Sequence, residues 1–181
     1  MKTSASAIAL VATLFAAGSA FSQESSVNLD NIKQNQQGGM GNNQKFEAGN
    51  VKGSGKSQTR ITDYSGSQQG GMGNTQSAEF GKVTNGGESN VTANKTRQSQ
   101  SGGMGNSQQL KLGEVSNGGK SNVRTNNLSQ SQSGGMGNKQ LMEMGSAKGG
   151  GKTDVRANDV AQSQSGGMGN NQSLRAGNVE K

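Results

Sequence analysis

The side chains of this sequence that could do chemistry are mainly amides and thioethers. The motif Gly-Gly-Met-Gly-Asn begins at Gly38, Gly70, Gly102, Gly134 and Gly166, and a Gln follows each copy after one intervening residue. An amide carries both donors and an acceptor, so amides repeated at a fixed spacing can hydrogen-bond to one another. A thioether is a soft ligand for metals such as copper. These residue types indicate self-recognition or soft-metal binding.

The residue types of most catalytic sites are missing. The sequence has no His and no Cys, so it offers no imidazole base, no thiolate nucleophile and no familiar zinc site. Its 11 acidic residues are scattered and form no D-x-D-x-D calcium loop. The motif approaches the calcium-binding nonapeptide G-G-x-G-x-D-x-U-x, but the Asp position holds Asn43, Thr75, Ser107, Lys139 or Asn171. We predict neither an enzyme nor a bound cofactor.

The motif methionines have two interpretations. Met40, Met72, Met104, Met136 and Met168 could form a copper-binding row of thioethers. Alternatively, each Met is a flexible filler at the turn end of a core. The sequence favours the filler.

The motif recurs every 32 residues without insertion or deletion. Such self-similarity is typical of stacked repeats. The repeat units are 27–58, 59–90, 91–122, 123–154 and 155–181. The predicted turn residues are the paired glycines Gly38, Gly39, Gly70, Gly71, Gly102, Gly103, Gly134, Gly135, Gly166 and Gly167.

Side chains alternate in character after each turn, as in β-strands, where neighbours point to opposite faces. One face carries Asn, Gln and two apolar residues, and the other is mostly polar or charged, as at Gln109 and Lys111. The predicted amide ladder for self-assembly is Asn42, Gln44, Asn74, Gln76, Asn106, Gln108, Asn138, Gln140, Asn170 and Gln172. The predicted core is Phe46, Phe80, Leu110, Leu112, Met142, Met144, Leu174, Val91, Val123 and Val155.

Large and small apolar residues exchange places between neighbouring units. Phe46 aligns with Ala78, and Ala48 aligns with Phe80. This compensation is expected where aligned positions share a core. We therefore predict an all-β fold: a β-solenoid of stacked β-arches with five rungs of 32 residues.

Composition alone favours a disordered polymer, since the chain has 31 Gly and is only 27% hydrophobic. Stacking of the repeats in register would nevertheless allow this polar chain to fold. It places Asn over Asn and Gln over Gln at about 4.8 Å, where each amide can bond its copies above and below. An inward amide left unpaired would cost about 1–3 kcal/mol, so the ladder favours one register.

The first 22 residues have the layout of a cleaved secretory signal peptide. A basic start precedes an apolar run at 7–17, and cleavage fits after Ala20 or Ser22. An uncleaved membrane anchor is the alternative, but the run is shorter than the roughly 20 residues needed to span a bilayer. Residues 23–26 are expected to be a short segment before the repeats at 27–181. The protein is expected to be secreted.

The formal net charge of +7 is dispersed along the chain. It predicts solubility and mild, non-specific affinity for anionic polymers such as polysaccharide or extracellular DNA. Specific nucleic-acid binding would require aromatic platforms between basic residues, and only Tyr64, Phe46 and Phe80 are available in the repeats.

The ends of the stack predict self-assembly. The first unit carries the full pattern, the last stops mid-repeat at Lys181 with its ladder residues intact, and the sequence has no Pro to block an edge. Soluble solenoids close their ends with atypical polar caps. Without such caps, self-complementary ends favour head-to-tail growth into a fibre.

In these features the sequence resembles the curlin family of bacterial curli subunits. The resemblance lies in a signal peptide, five strand–turn–strand repeats, and Gln and Asn residues on either side of Gly-rich turns; Gln37 with Asn42 and Gln69 with Asn74 have the family's Gln-x4-Asn spacing. In later units Ser101, Ser133 and Ser165 take the Gln position. The resemblance implies an extracellular β-fibre of a biofilm matrix, exported through an outer-membrane pore of a Gram-negative bacterium, with nucleator and secretion-pore partners.

The sequence therefore predicts a structural subunit that polymerises with itself outside the cell. The alternative is a monomeric surface β-repeat adhesin that binds polysaccharide or another surface ligand through its outward face.

Overall fold

The computed structural model describes residues 23–180, and within them every regular element is a β-strand. The predicted signal peptide at 1–22 lies outside the described residues. The strands are β1 Gln23–Leu29, β2 Ile32–Gln37, β3 Asn43–Ala48, β4 Val51–Lys52, β5 Gly55–Gln69, β6 Thr75–Phe80, β7 Val83–Thr84, β8 Glu88–Ser101, β9 Ser107–Val115, β10 Lys120–Ser133, β11 Lys139–Lys148, β12 Lys152–Ser165 and β13 Asn171–Glu180. None of the described segments is a helix long and apolar enough to cross a membrane.

The strands form two parallel sheets. The first has the order β1-β5-β8-β10-β12, with β2 also pairing β5. The second has the order β13-β11-β9-β6-β3, and β4 and β7 extend it beside β9. Partners are one repeat apart, as in Val91↔Val123 and Val123↔Val155. One repeat therefore makes one rung with a strand or strand pair in each sheet, and the predicted β-solenoid is confirmed.

The strands alternate between buried and more exposed side chains, as period two requires. In β9, Gln108, Leu110 and Leu112 are buried, whereas Gln109 and Lys111 between them are partly exposed. The same alternation runs through β5, β8 and β10. The inward residues of both sheets thus form one continuous interior along the stack.

Aromatic rings from neighbouring rungs meet in the core. Phe46 pairs with Ala78, and Ala48 pairs with Phe80, so each large side chain lies beside a small one. The Phe80 ring centroid is 5.5 Å from that of Phe46 and 5.6 Å from that of Tyr64. Burial raises the pKa of the Tyr64 hydroxyl above its usual range, and the neutral hydroxyl donates to Gln34 Oε1 at 2.7 Å.

A glycine bend turns each rung at the far end of the second sheet. Gly113 has φ +69°, and a Cβ there would lie 2.6 Å from Ser121 Oγ, which donates to the Gly113 carbonyl at 2.6 Å. A side chain would therefore displace this bond. Beyond the bend, Val51, Val83 and Val115 form a second small buried cluster.

The first rung begins earlier than the repeat boundary in the sequence. Strand β1 starts at Gln23, and Glu24, Ser25 and Ser26 pair with residues 56–58 of the second rung. The short segment set apart at 23–26 is therefore part of the strand ladder.

Candidate functional site

The Gly-Gly-Met-Gly loop is itself stacked. In the third rung Gly102, Gly103 and Gly105 have φ of 63°, 80° and 63°, the left-handed region that glycine adopts most easily. A Cβ on Gly103 would lie 2.6 Å from the carbonyl oxygen of Gly71 in the rung before. The Met104 N–H donates to that same oxygen at 3.0 Å. Glycine therefore permits both the turn and the close approach of successive loops.

The asparagines after the loops form a directional ladder. The backbone N–H of each donates to Oδ1 of the next: Asn42 to Asn74 at 2.9 Å, Asn74 to Asn106 at 2.9 Å, Asn106 to Asn138 at 3.0 Å and Asn138 to Asn170 at 3.0 Å. Asn106 Nδ2 also donates to the Gly70 carbonyl at 3.1 Å. Asn74, Asn106 and Asn138 are fully buried, whereas Asn42 in the first rung is exposed.

The glutamines two residues later form a second ladder, which runs in the opposite sense. Each Nε2 donates to Oε1 of the previous rung: Gln76 to Gln44 at 3.2 Å, Gln108 to Gln76 at 3.0 Å, Gln140 to Gln108 at 2.9 Å and Gln172 to Gln140 at 2.7 Å. Gln108 Nε2 also donates to the Ser99 carbonyl at 2.8 Å, so it joins the two sheets.

The first sheet carries a further glutamine ladder, which was not among the predicted ladder residues. Gln130 Nε2 donates to Gln98 Oε1 at 3.2 Å, and Gln162 Nε2 donates to Gln130 Oε1 at 2.8 Å. Its signal was the alternating Gln-Ser-Gln-Ser tract, in which the glutamines occupy one face. Beside this ladder, both amide atoms of Gln36, Gln68, Gln100 and Gln132 are buried without a hydrogen bond in the described part of the chain.

The motif methionines are exposed, so the prediction that they fill the core was wrong. Their exposed fractions are 43–44% in the inner rungs, 74% at Met40 and 69% at Met168. Neighbouring methionines pair as parallel bridges, as in Met72↔Met104. The left-handed glycines on both sides turn the Met out of the interior. The thioethers thus form a surface row along the stack.

Mild peroxide is expected to oxidise the five motif methionines and to spare Met142 and Met144, which are 0% and 2% exposed. The reason is that oxidation requires access to the sulfur. Peptide mapping by mass spectrometry would measure each site, with protein oxidised in denaturant as the control in which all react. Equal oxidation of Met104 and Met142 in the folded protein would contradict this placement.

The predicted core residues differ in burial according to their rung. Phe80, Leu110, Leu112, Met142, Met144, Val91 and Val123 are at most 2% exposed, and Phe46 is 8% exposed. In the fifth rung Val155 is only partly buried and Leu174 is 42% exposed. No further rung covers these side chains within the described residues.

A cluster of four charges lies on the outer face of the second sheet. Lys82 Nζ is 3.1 Å from Glu79 Oε1 and 3.6 Å from Glu114 Oε2, and Lys111 Nζ is 3.4 Å from the same Glu114 oxygen. Burial raises the pKa of Glu79, and the neighbouring Glu114 adds to the rise. Burial acts in the same direction on Glu114, but its hydrogen bond with Glu79 and the charges of Lys111 and Lys82 outweigh it and lower the pKa. On acidification Glu79 is protonated first.

Mild acidification is expected to stabilise the fold through Glu79. A carboxyl whose pKa is raised by folding binds its proton before the unfolded chain does, so the free energy of unfolding rises as the pH falls from its raised pKa towards about 4.3. Below that, the lowered pKa of Glu114 makes the free energy of unfolding fall. Thermal unfolding of fresh monomer from pH 7 to 3 would show this, with Glu79→Gln as the variant that loses the rise. Identical pH profiles for the two proteins would refute it.

A groove on the outer face of the first sheet concentrates positive charge. It has a volume of about 380 Å³ and is lined in part by Lys120, Arg124, Asp154 and Arg156. Across β10 and β12, Arg124 pairs with Arg156 and Lys120 with Lys152. Directly opposed like charges destabilise a sheet, so a bound anion would relieve repulsion here.

The described residues contain no group of three or more acidic side chains that could hold a metal ion. Comparison of the chain with protein-family models, curated proteins and solved structures gives no match. The amide ladders, the end rungs and the basic groove are the features from which a function is inferred.

Proposed function

We propose that this protein is a secreted structural subunit that self-assembles into extracellular, amyloid-like fibres, which serve as biofilm matrix and promote adhesion and cell aggregation. The observation that carries the proposal is the periodicity of the stack. Its first and last rungs have strands, ladder amides and apolar residues at positions equivalent to those of the inner rungs. Whatever holds rung to rung within one chain is therefore available between chains.

The end rungs have the properties of edges that associate. Strands β12 and β13 have 14 and 10 residues, and each pairs with one neighbouring strand within the described residues. Long strands with an open edge are templates for further pairing. Leu174 and Val179, at 42% and 49% exposed, add apolar surface that another rung would bury.

The expected partner is therefore the protein itself. The resemblance to curlin adds a nucleator and an outer-membrane secretion pore as expected partners, and a Gram-negative cell surface as the place of assembly. The dispersed positive charge would additionally hold anionic matrix polymers without sequence specificity.

The proposal is tested by diluting residues 23–181 out of denaturant. We expect a lag phase, then fibres that bind thioflavin and give a meridional reflection at about 4.8 Å. Sonicated fibres should shorten the lag when added as seeds. A persistent monodisperse monomer with β-type circular dichroism would contradict the proposal.

The basic groove favours a second candidate function, an adhesin that binds an anionic polysaccharide as a monomer. Arg guanidinium groups pair well with carboxylates, and the groove places Arg124 beside Arg156. Binding of a uronate-rich polysaccharide to monomer, measured by calorimetry, should weaken at least tenfold in the variant Arg124→Ser/Arg156→Ser. The matched control is Arg60→Ser, on the same face but outside the groove. Equal affinity of all three proteins would exclude the groove as the site.

A further inference from the structure

We infer that two copies join in one register, with the fifth rung of one copy on the first rung of the next, and that Lys152–Glu24 and Arg175–Glu47 ion pairs select this junction. The inference rests on the proposed function, since it specifies the partner surface of the fibre. The inference states which residues of the two copies are in contact. Fibre formation alone does not determine those contacts.

The register follows from extending the pairing that already exists. Every pair of neighbouring rungs is offset by one repeat, as in Val123↔Val155 and Met142↔Leu174. One further step places Val155 on Val27 and Leu174 on Phe46 of the next copy. Val27 is partly buried and Phe46 lies at the first rung, so the junction would continue the apolar core.

The same step pairs opposite charges on the outer faces. Lys152 would meet Glu24, Arg175 would meet Glu47, and Glu180 would meet Lys52. No like charges meet in this register when β12 and β13 are laid on β1–β4. The first and the last junctions within the chain are less favourable in charge, because Glu47 faces Glu79 and Arg124 faces Arg156. The contact between copies is thus better matched in charge than two of the internal contacts.

The amide ladders give the junction a direction. The Asn ladder ends with the N–H of Asn170, and its next acceptor would be Oδ1 of Asn42 in the following copy. The Gln ladder ends with Oε1 of Gln172, and its next donor would be Nε2 of Gln44. Both steps require the fifth rung to meet the first. A junction of two first rungs would oppose the strand directions and break both ladders.

Slipped registers lose these matches. A slip of two residues in one sense would place Asp154 on Glu24 and Arg175 on Lys45, which are like-charge pairs. A slip of two residues in the other sense would place Gln172 on Phe46, so that a buried amide loses its partner. The association constant of the junction would then fall by about tenfold or more. Of the three registers, only the unslipped one pairs opposite charges, continues both amide ladders and places apolar residues on apolar residues.

Cysteine cross-linking tests the register, and the chain has no Cys of its own. Fibres are grown from an equimolar mixture of the variants Ser26→Cys and Asp154→Cys and then oxidised. Paired residues of parallel strands lie about 4.8 Å apart, within disulfide range. We expect mixed disulfide dimers, few dimers in fibres of either variant alone, and at least fivefold fewer when Asn28→Cys, the next residue on that face, replaces Ser26→Cys.

Fibres that give no mixed dimers, or equal yields with the Asn28→Cys control, would overturn the register. The proposed function would survive that result, since fibres would still have formed. Absence of fibres from the unsubstituted protein would instead overturn the proposed function.

Charge reversal tests the ion pairs. The variant Glu24→Lys/Glu47→Lys has only positive charge at these sites, and Lys152→Glu/Arg175→Glu has only negative charge. Each should elongate about tenfold more slowly alone, because attraction becomes repulsion at both pairs. A one-to-one mixture restores opposite charges at every junction, so it should elongate at nearly the unsubstituted rate and form an alternating copolymer.

Rescue by mixing separates the ion pairs from misfolding, because a variant that fails to fold is not recovered by a second variant. Added salt should reduce the difference between the separate and mixed variants. Elongation of each variant alone at the unsubstituted rate, or a mixture as slow as its components, would overturn the role of the ion pairs.

Discussion

Replacing Asn106 and Gln108 together by Ala is expected to prevent stable stacking at the third rung. Asn106 accepts from the Asn74 N–H and donates to the Gly70 carbonyl, and Gln108 donates to Gln76 Oε1 and the Ser99 carbonyl. The double variant leaves these groups without partners in a buried position. Each such group costs about 1–3 kcal/mol, so the loss should be on the order of 5 kcal/mol. Urea unfolding of monomer and thioflavin kinetics would measure it.

The matched control is Lys111→Ala, on the outer face of the same strand. Lys111 is part of an ion pair with Glu114 at 3.4 Å, and its side chain is 30% exposed. A pair with that exposure contributes at most about 1 kcal/mol, so unfolding and growth should change little. Equal effects of the two variants would contradict the assignment of inward and outward residues.

Replacing Phe80 by Ala is the second change with a large expected effect. Phe80 is fully buried and contacts the rings of Phe46 and Tyr64. Phe80 pairs with Ala48 in the first rung and with Leu112 in the third, and Ala48 is too small to fill the space that the ring would leave. Removing a buried phenyl ring costs about 3–5 kcal/mol. Thermal unfolding of monomer should show a large fall in Tm.

Met104→Ala controls for the loss of a large apolar side chain. Met104 is 43% exposed in the surface row, so its removal should change the free energy of unfolding by less than about 0.5 kcal/mol. A Phe80→Ala variant as stable as Met104→Ala would show that the rings do not share a core.

The fold was predictable because two periods in the sequence agree. The exact 32-residue recurrence predicts that aligned residues stack, and the alternation in Asn106, Gln108, Leu110 and Leu112 predicts strands. Exchange of size between Phe46–Ala78 and Ala48–Phe80 predicts contact between rungs, and the pairing confirms it. Each of these signals depends only on the spacing of residues along the chain, so a single sequence is enough to read it.

The orientation of side chains in the loops and the contacts between outer-face residues were not predictable. The motif methionines were expected inside, but the φ signs of the flanking glycines decide which way Met104 points, and composition does not encode them. In the ion cluster, Lys82 pairs with Glu79, three positions before it, and with Glu114, one repeat after it. Burial raises the pKa of Glu79, and alternation alone does not predict burial on the outer face.

Under the proposed function, the stack would explain how a polar chain acts as a fibre subunit. Within one molecule, repeats bury amides in ladders and leave an equivalent rung at each end. Strength would then come from many small, register-dependent contacts.

Cryo-electron microscopy of the fibres tests the central claim most directly, since it measures the axial rise per subunit. If each chain contributes five stacked rungs, the rise is about 24 Å per subunit, with strands every 4.8 Å or so. If instead each chain lies flat as a single layer of a conventional cross-β fibre, the rise per subunit is about 4.8 Å. The larger value is the expected result, and the smaller one would contradict the stacking of successive repeats within one chain.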